Sequence, residues 1–378
     1  MTPRENFWRV VNHQEAERVP IFWGGTNSSI VPAHYEALCQ ELGLDEFKVP
    51  LGDFGTVNLH PLVKERLHSD VELLLIGAPP RRRLEDGLIE DGMWGFRMKE
   101  VGFYRTFPDQ ITPLRRARTI ADIEAHPVWP DPDDPVYYLK QSERARKLYD
   151  TGRIVLGEAS YAGAPFFIYP WLRGVDQWMM DPYRDPDFYH HLAQKITDFS
   201  RVILERWLDE VGEWLDVLCF YDDIAMQTGP MVSLEHYRRF ILPYEKQLTD
   251  LARRLTGAKL SLHCCGSCYD LLPGFLEVGY DILNPVQTRA KNMEAWRLKR
   301  DYGRKLVFYG GLDIQRLLPF GSVEEVRQGV RDLIRTLGSG GGFLFATSHN
   351  IEPDTPPRNI VAAFDAAFEY GRYPLQAG

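Results

Sequence analysis

The feature that most constrains this sequence is a rhythm. Short apolar runs recur, each closed by glycine or a polar residue, and most are separated by helix-forming stretches. In the second half of the chain the runs are 153–158, 216–221, 259–263, 280–284, 305–309 and 342–346. Two earlier runs, 18–23 and 71–76, bring the set to eight. Runs that are apolar without alternation belong to strands buried on both faces. Helical patterns at 136–149, 235–255 and 323–337 lie between runs. Strands alternating with helices make parallel pairs, because a parallel connection needs a crossover. Eight such units predict a (β/α)8 TIM barrel, with a doubly wound open sheet as the structural alternative.

The remaining segments read as additions to that frame. Residues 6–11 form a short amphipathic helical extension at the N-terminus. The polar, glycine-broken stretch 83–109 alternates around 94–98 and reads as a β-hairpin insertion. The glycine-rich stretch 338–342 precedes a strand, so it reads as a helix-to-strand turn rather than a phosphate cradle. The aromatic run 166–171 serves either as core or as the wall of a flat cofactor's pocket. At 44% hydrophobic residues the chain can fill one large core, and a single domain over 1–378 is expected.

Charge narrows the partners. The formal net charge is −9 and the only dense basic run is Arg81-Arg82-Arg83, which reads as a solvated loop. Nucleic-acid binding is therefore not expected. No run approaches the ~18 apolar residues of a membrane span. The opening residues lack the apolar core of a secretion signal, so a cytoplasmic enzyme is the expectation. Of the five cysteines, Cys264, Cys265 and Cys268 cluster beside His263. Such clustering points to metal or catalysis rather than to a disulfide framework.

Barrel active sites are built at the C-terminal ends of the strands. Read there, the chain offers Glu158, then Tyr221-Asp222-Asp223, His263-Cys264-Cys265-Gly266, Asn284-Pro285-Val286-Gln287, Gly310-Gly311-Leu312-Asp313 and Ser348-His349-Asn350. His263 and Cys265 leave one strand end two residues apart, so both can point the same way. Imidazole and thiolate suit zinc, and His349 is a third donor. Cys264 should point the opposite way, and Cys268 should pack at the start of the next helix. Glu158, Asp222, Asp223 and Asp313 are the candidate acids and bases. Asp222-Asp223 also reads as a charge pair at a helix N-terminus. Tyr221, Asn284, Gln287, Gly310 and Gly311 are the candidate substrate contacts, the glycines because they allow close backbone approach.

These motifs resemble the uroporphyrinogen decarboxylase superfamily. The resemblance rests on Thr2-Pro3-Arg4-Glu5 with Arg18-Val19-Pro20, on Tyr221-Asp222-Asp223 with Ser233-Leu234-Glu235-His236-Tyr237-Arg238, and on His263-Cys264-Cys265-Gly266-Ser267. It continues through Asp281-Ile282-Leu283-Asn284-Pro285-Val286-Gln287, Gly310-Gly311-Leu312-Asp313 and the segment 340–357. It implies a (β/α)8 barrel and two branches of activity. True uroporphyrinogen decarboxylases carry an arginine motif after the first strand and a catalytic aspartate after the second. Here those places read Phe22-Trp23-Gly24-Gly25-Thr26-Asn27 and Gly77-Ala78-Pro79-Pro80, with neither. The corrinoid-linked methyltransferases use a His-x-Cys pair and a later cysteine to hold zinc. His263 and Cys265 match the pair, while His349 stands near the later cysteine and Gln287 where a related zinc barrel has an acid.

The resemblance thus implies a methyltransferase with zinc and a corrinoid, the corrinoid free or on a partner protein. The chain would act on a small molecule as a monomer or homodimer. Two other readings stay open. One is a decarboxylase of a polycarboxylate, which would need Arg173, Arg289 or Arg316 in its cavity. The other is a non-catalytic corrinoid or small-molecule binder.

Overall fold

A computed structural model describes residues 1–44, 57–102 and 104–375. Its centre is a curled sheet of seven parallel strands among the described residues. In chain order they are β1 (Val71–Leu75), β2 (Ile154–Glu158), β3 (Val217–Tyr221), β4 (Lys259–His263), β5 (Ile282–Val286), β6 (Val307–Leu312) and β7 (Phe343–Thr347). Each strand pairs with its neighbours in sequence, as successive strand–helix units predict.

One expected strand is corrected. Residues 18–23 form no strand, only isolated bridges, parallel from Ile21 to Phe345 and antiparallel from Arg18 to Arg372. Pro20 has no N–H to donate, which limits ladder formation. The segment still touches both edges of the sheet. The Phe22 amide donates to the Phe345 carbonyl (2.7 Å), the Phe345 amide to Pro20 (2.9 Å), and the Asp70 amide, next to β1, to Ile21 (2.8 Å).

The strands bury both faces. Ile154, Leu156, Val217, Cys219, Tyr221, Ile282, Val307, Tyr309, Leu344 and Ala346 form one cluster inside the curl. The alternate residues, such as Val155, Leu218, Phe220, Leu260, Leu262, Leu283, Phe308, Phe343 and Phe345, pack outward in the larger cluster shared with the helices. The helix Pro3–Val11 adds Phe7 and Val11 to the inner cluster. Asp216, just before β3, anchors that helix by accepting from Arg4 Nε (3.0 Å) and Trp8 Nε1 (2.8 Å). The helical extension is thus fixed where the strands begin, and the end where they finish carries the polar residues.

Other elements refine the sequence reading. The insertion is a four-stranded antiparallel sheet (Arg82–Arg83, Ile89–Glu90, Arg97–Val101 and Tyr104–Thr106) rather than one hairpin. Arg82 pairs with Glu90 (2.6 Å) and Arg83 with Glu100 (2.8 Å) on its solvated face. The helix expected at 136–149 splits into a 3-10 turn, Pro135–Tyr137, and a helix, Gln141–Tyr149. The helix expected at 235–255 begins as Leu234–His236 and widens to a π-turn at Tyr237–Ile241 before Leu242–Leu255. The amides of the 338–342 turn go to protein: Gly340 to Glu15 (3.1 Å), Gly341 to Gly338 (2.9 Å) and Gly342 to Val10 (2.8 Å). No helix among the described residues is long and apolar enough to cross a membrane.

Candidate metal centre

In the register, His263 is the partner of Tyr221 on β3 and of Asn284 on β5. Register partners in a parallel sheet point to the same face, so the three form one row inside the curl. The ladder runs on past the strand ends. Asp222 donates its amide to the His263 carbonyl (3.0 Å), and Cys264 donates to the Asn284 carbonyl (2.7 Å). This backbone fixes the direction in which Cys265 leaves. The Cys265 amide donates to Asp223 Oδ1 (2.6 Å), and the Gly266 amide to Gln287 Oε1 (2.9 Å). Gly266 has φ +84°, and a Cβ there would lie 2.7 Å from the Met226 carbonyl oxygen, so only glycine fits this turn.

His263, Cys265 and His349 meet here. One ligand atom from each lies within 4.8 Å of the others. Cys265 Sγ is 3.4 Å from His263 Nε2, and the two imidazole rings are 5.9 Å apart. His349 follows β7, whose ladder to β6 is continued by the Ser348 amide bonding to Leu312 (2.9 Å).

The chemistry of the three fits a soft divalent cation. His263 Nδ1 lies 2.6 Å from Asn284 Oδ1, while the Asn284 Nδ2 faces the Tyr309 carbonyl (3.5 Å). That orientation makes Asn284 Oδ1 an acceptor, so Nδ1 carries the proton and Nε2 presents its lone pair. Burial drives the His263 pKa down to about 4. Burial and then the nearby His263 take His349 down to about 4 as well. Both rings are therefore neutral ligands at neutral pH. Burial and the Asp223 carboxylate push the Cys265 thiol well up, and a bound cation would reverse that push.

Asp223 lies beside the cluster, Oδ1 4.0 Å from His263 Nε2, with its side chain about a third exposed. A cavity of about 700 Å³ opens at this point, its wall including Cys265, His349, Gln287, Arg316, Glu352 and Asp354.

The other expected site residues are placed differently. Glu158 pairs in register with Cys219, two residues below Tyr221, so it sits one layer beneath the row. It accepts from the Thr26 amide (3.1 Å) and the Thr26 hydroxyl. Burial pushes its carboxyl up, against the Thr26 and Tyr221 hydroxyls. Asp222 points outward to Glu245 and accepts from the amides of Phe166 and Phe167. Burial and then Glu245 push its carboxyl well up. Asp313 accepts from the amides of Gln315 (2.8 Å), Arg316 (3.2 Å) and Leu317 (3.3 Å), and Arg289 lies 3.7 Å away.

Gly310 has φ +108°, and its close neighbours are the backbones of Thr347, Val286 and Pro285, so its freedom serves strand packing. Gly311 faces the Leu333 side chain. Gln287 Oε1 is taken by the Gly266 amide and by Gln227 Nε2 (2.7 Å). As expected, Cys264 is buried on the helix side, and Cys268 precedes the 3-10 turn Tyr269–Leu271.

Sequence reading missed Gln227, Thr26, Glu245, Glu352 and Asp354. Glu352 and Asp354 were accessible to it, because they follow His349 in the same polar loop. Thr26 and Glu245 were not, since only tertiary folding brings them to Glu158 and Asp222.

Comparisons with known proteins bear on the family and the fold. The profile of the uroporphyrinogen decarboxylase (URO-D) family matches residues 100–370. A uroporphyrinogen decarboxylase of Coxiella burnetii is 26% identical over 186 residues, 49% of this chain and 48% of the relative, so this match spans about half of that relative's length. One from Syntrophotalea carbinolica is 28% identical over 279 residues, 70% of this chain and 72% of the relative. A methylated-thiol–coenzyme M methyltransferase of Methanosarcina mazei is 26% identical over 252 residues, 64% of each chain. Among solved structures, a methyltransferase from Methanosarcina mazei superposes with a TM-score of 0.65 at 15% identity, covering 98% of this chain and 99% of that one. That likeness shows the fold.

Proposed function

The chain belongs to the uroporphyrinogen decarboxylase (URO-D) family, and on that premise we propose that it is a zinc-dependent methyltransferase. It would move a methyl group between a small molecule or a corrinoid and a thiol acceptor. The observation that carries the reading is the convergence of His263, Cys265 and His349 within 4.8 Å on the wall of an open cavity. In the same reading, the Pro20–Phe22 segment occupies the eighth position of a (β/α)8 barrel that spans 1–378. A thiol acceptor is suggested by the name of the Methanosarcina relative.

The residues divide the work. His263, Cys265 and His349 would hold the metal beside the cavity. Zinc, when bound, supplies Lewis acidity that lowers the pKa of a coordinating thiol. Asn284 fixes the His263 tautomer. The Gln227–Gln287 pair holds the Gly266 turn through the Gln287 carbonyl oxygen, which is thereby spent on protein. Tyr221 packs against His263, with ring centroids 5.6 Å apart. Asp223 would receive the acceptor's proton. The sulfur lone pair then forms the new S–C bond, and the bond from methyl to donor breaks with its electrons left on the donor. The donor would be a methylated corrinoid, free or on a partner protein, or a small methylated molecule. Glu158, Asp222 and Asp313 would hold the surrounding backbone, through the amides of Thr26, Phe166, Phe167 and Arg316.

The decarboxylase reading needs Arg173, Arg289 or Arg316 in the cavity, and one of the three is there. Arg173 is buried against Asp181 (2.8 Å) and donates to the carbonyls of Leu114, Arg115 and Ala117. Arg289 faces Asp313, and Arg316 alone of the three lines the cavity of about 700 Å³.

The test is metal analysis joined to an assay with methylcobalamin and a thiol. Purified protein should carry zinc and form the thioether. Cys265→Ser should lose the metal and at least ~100-fold in rate. Protein free of zinc, or unchanged activity in Cys265→Ser, contradicts the proposal.

A further inference from the structure

The cavity beside the candidate metal ligands carries charges of both signs. Arg316 and Asp354 are exposed and Glu352 is half-buried, all on the wall of the cavity of about 700 Å³. Among the described residues none of the three forms a salt bridge. Elsewhere on the surface Arg238 pairs with Glu277 (2.5 Å) and Arg327 with Glu369 (2.5 Å).

Each charge is also held in place by its backbone. Asp313 accepts from the Arg316 amide (3.2 Å), so it fixes the turn that presents the guanidinium. On the other side, Asn350 Oδ1 accepts from the Ser29 amide (2.8 Å), and the Ile351 amide donates to Ser29 (2.9 Å). The Thr355 amide closes the next turn on the Glu352 carbonyl (3.2 Å). His349, Glu352 and Asp354 therefore share one anchored loop. Gln287 adds a neutral donor. Its Oε1 is occupied by Gly266 and Gln227, so its amide N–H groups are the part left for a ligand.

We propose that the acceptor is a zwitterionic thiol of the amino-acid type. Its carboxylate would lie toward Arg316 and the Gln287 amide, its ammonium toward Glu352 and Asp354, and its sulfur toward His263, Cys265 and His349. A guanidinium and an amide donor match a carboxylate, and two carboxylates match an ammonium. A singly charged thiol would satisfy one wall and leave the other facing a like or idle charge. The inference rests on the methyltransferase reading for its sulfur end and on the cavity charges for the rest.

Calorimetric titration of the zinc-loaded protein tests it with L-homocysteine, 3-mercaptopropionate, cysteamine and 2-mercaptoethanol. L-homocysteine should bind tightest, by about fivefold over either singly charged thiol. Arg316→Gln should weaken L-homocysteine and 3-mercaptopropionate about fivefold and spare cysteamine. Glu352→Gln with Asp354→Asn should weaken L-homocysteine and cysteamine and spare 3-mercaptopropionate. Equal binding of the four thiols, or variants without this pattern, overturns the proposal. L-methionine separates it from the metal reading. If zinc is absent but L-methionine still binds with dependence on Arg316, the metal reading alone fails. If zinc is present but no probe discriminates by charge, the zwitterion proposal alone fails.

Discussion

At the scale of single residues, the centre depends on one hydrogen bond more than on any packing contact. Asn284 decides which nitrogen of His263 carries the proton, and with it whether Nε2 can coordinate. Asn284→Ala should keep the fold, because the Asn284 backbone still accepts from Cys264. It should lower zinc affinity about 10–100-fold, measured by competition with a chelator. Affinity equal to the wild type would mean that His263 is oriented by something else. His263 and Cys265 were legible in the sequence, because their spacing on a strand end places both side chains together. The inward direction of Asn284 and Tyr221 and the outward direction of Asp222 follow from strand alternation. What they meet there does not, since His263 faces Asn284 only through the β4–β5 register.

Between elements, the strand ends do not lie in one plane. Glu158 ends β2 as His263 ends β4, yet register puts Glu158 opposite Cys219, one layer below. Stagger between strands is a property of the curled sheet and is absent from any single run of sequence. The apolar run 18–23 promised a strand, but Pro20, with no N–H to donate, limits its ladder. Asp222 gives this scale its own test. It joins the start of the helix Pro165–Arg173 to the helix Leu242–Leu255 through Glu245, which also accepts from the Tyr237 hydroxyl in the π-turn. Burial raises the Glu245 carboxyl from its ordinary value to about 7. A raised folded-state value means that the folded protein holds a proton the unfolded chain releases. That contribution is complete below about pH 4.5 and is lost as pH rises toward 7. In Glu245→Gln the neutral side chain is permanent. Relative to the variant, the wild type should lose on the order of 1–3 kcal/mol across that window, read from urea midpoints at pH 5 and 7.5. A difference that stays constant with pH contradicts the shared buried proton.

The whole molecule separates stability from chemistry by its two ends. Asp216 ties the N-terminal helix to the end where the strands begin, and the candidate ligands, the Gly266 turn and the charged loop occupy the end where they finish. The alternation of strands and helices made this polarity readable from the sequence. The contents of the cavity wall were less so, because Arg316 and Glu352 come from loops after β6 and β7 that only the curled sheet brings together. X-ray absorption at the zinc edge of purified protein tests the central claim most directly. One sulfur at about 2.3 Å and two imidazole nitrogens at about 2.0–2.1 Å are expected, with the sulfur shell lost in Cys265→Ser. A metal bound without sulfur, or a spectrum unchanged by that substitution, would contradict it.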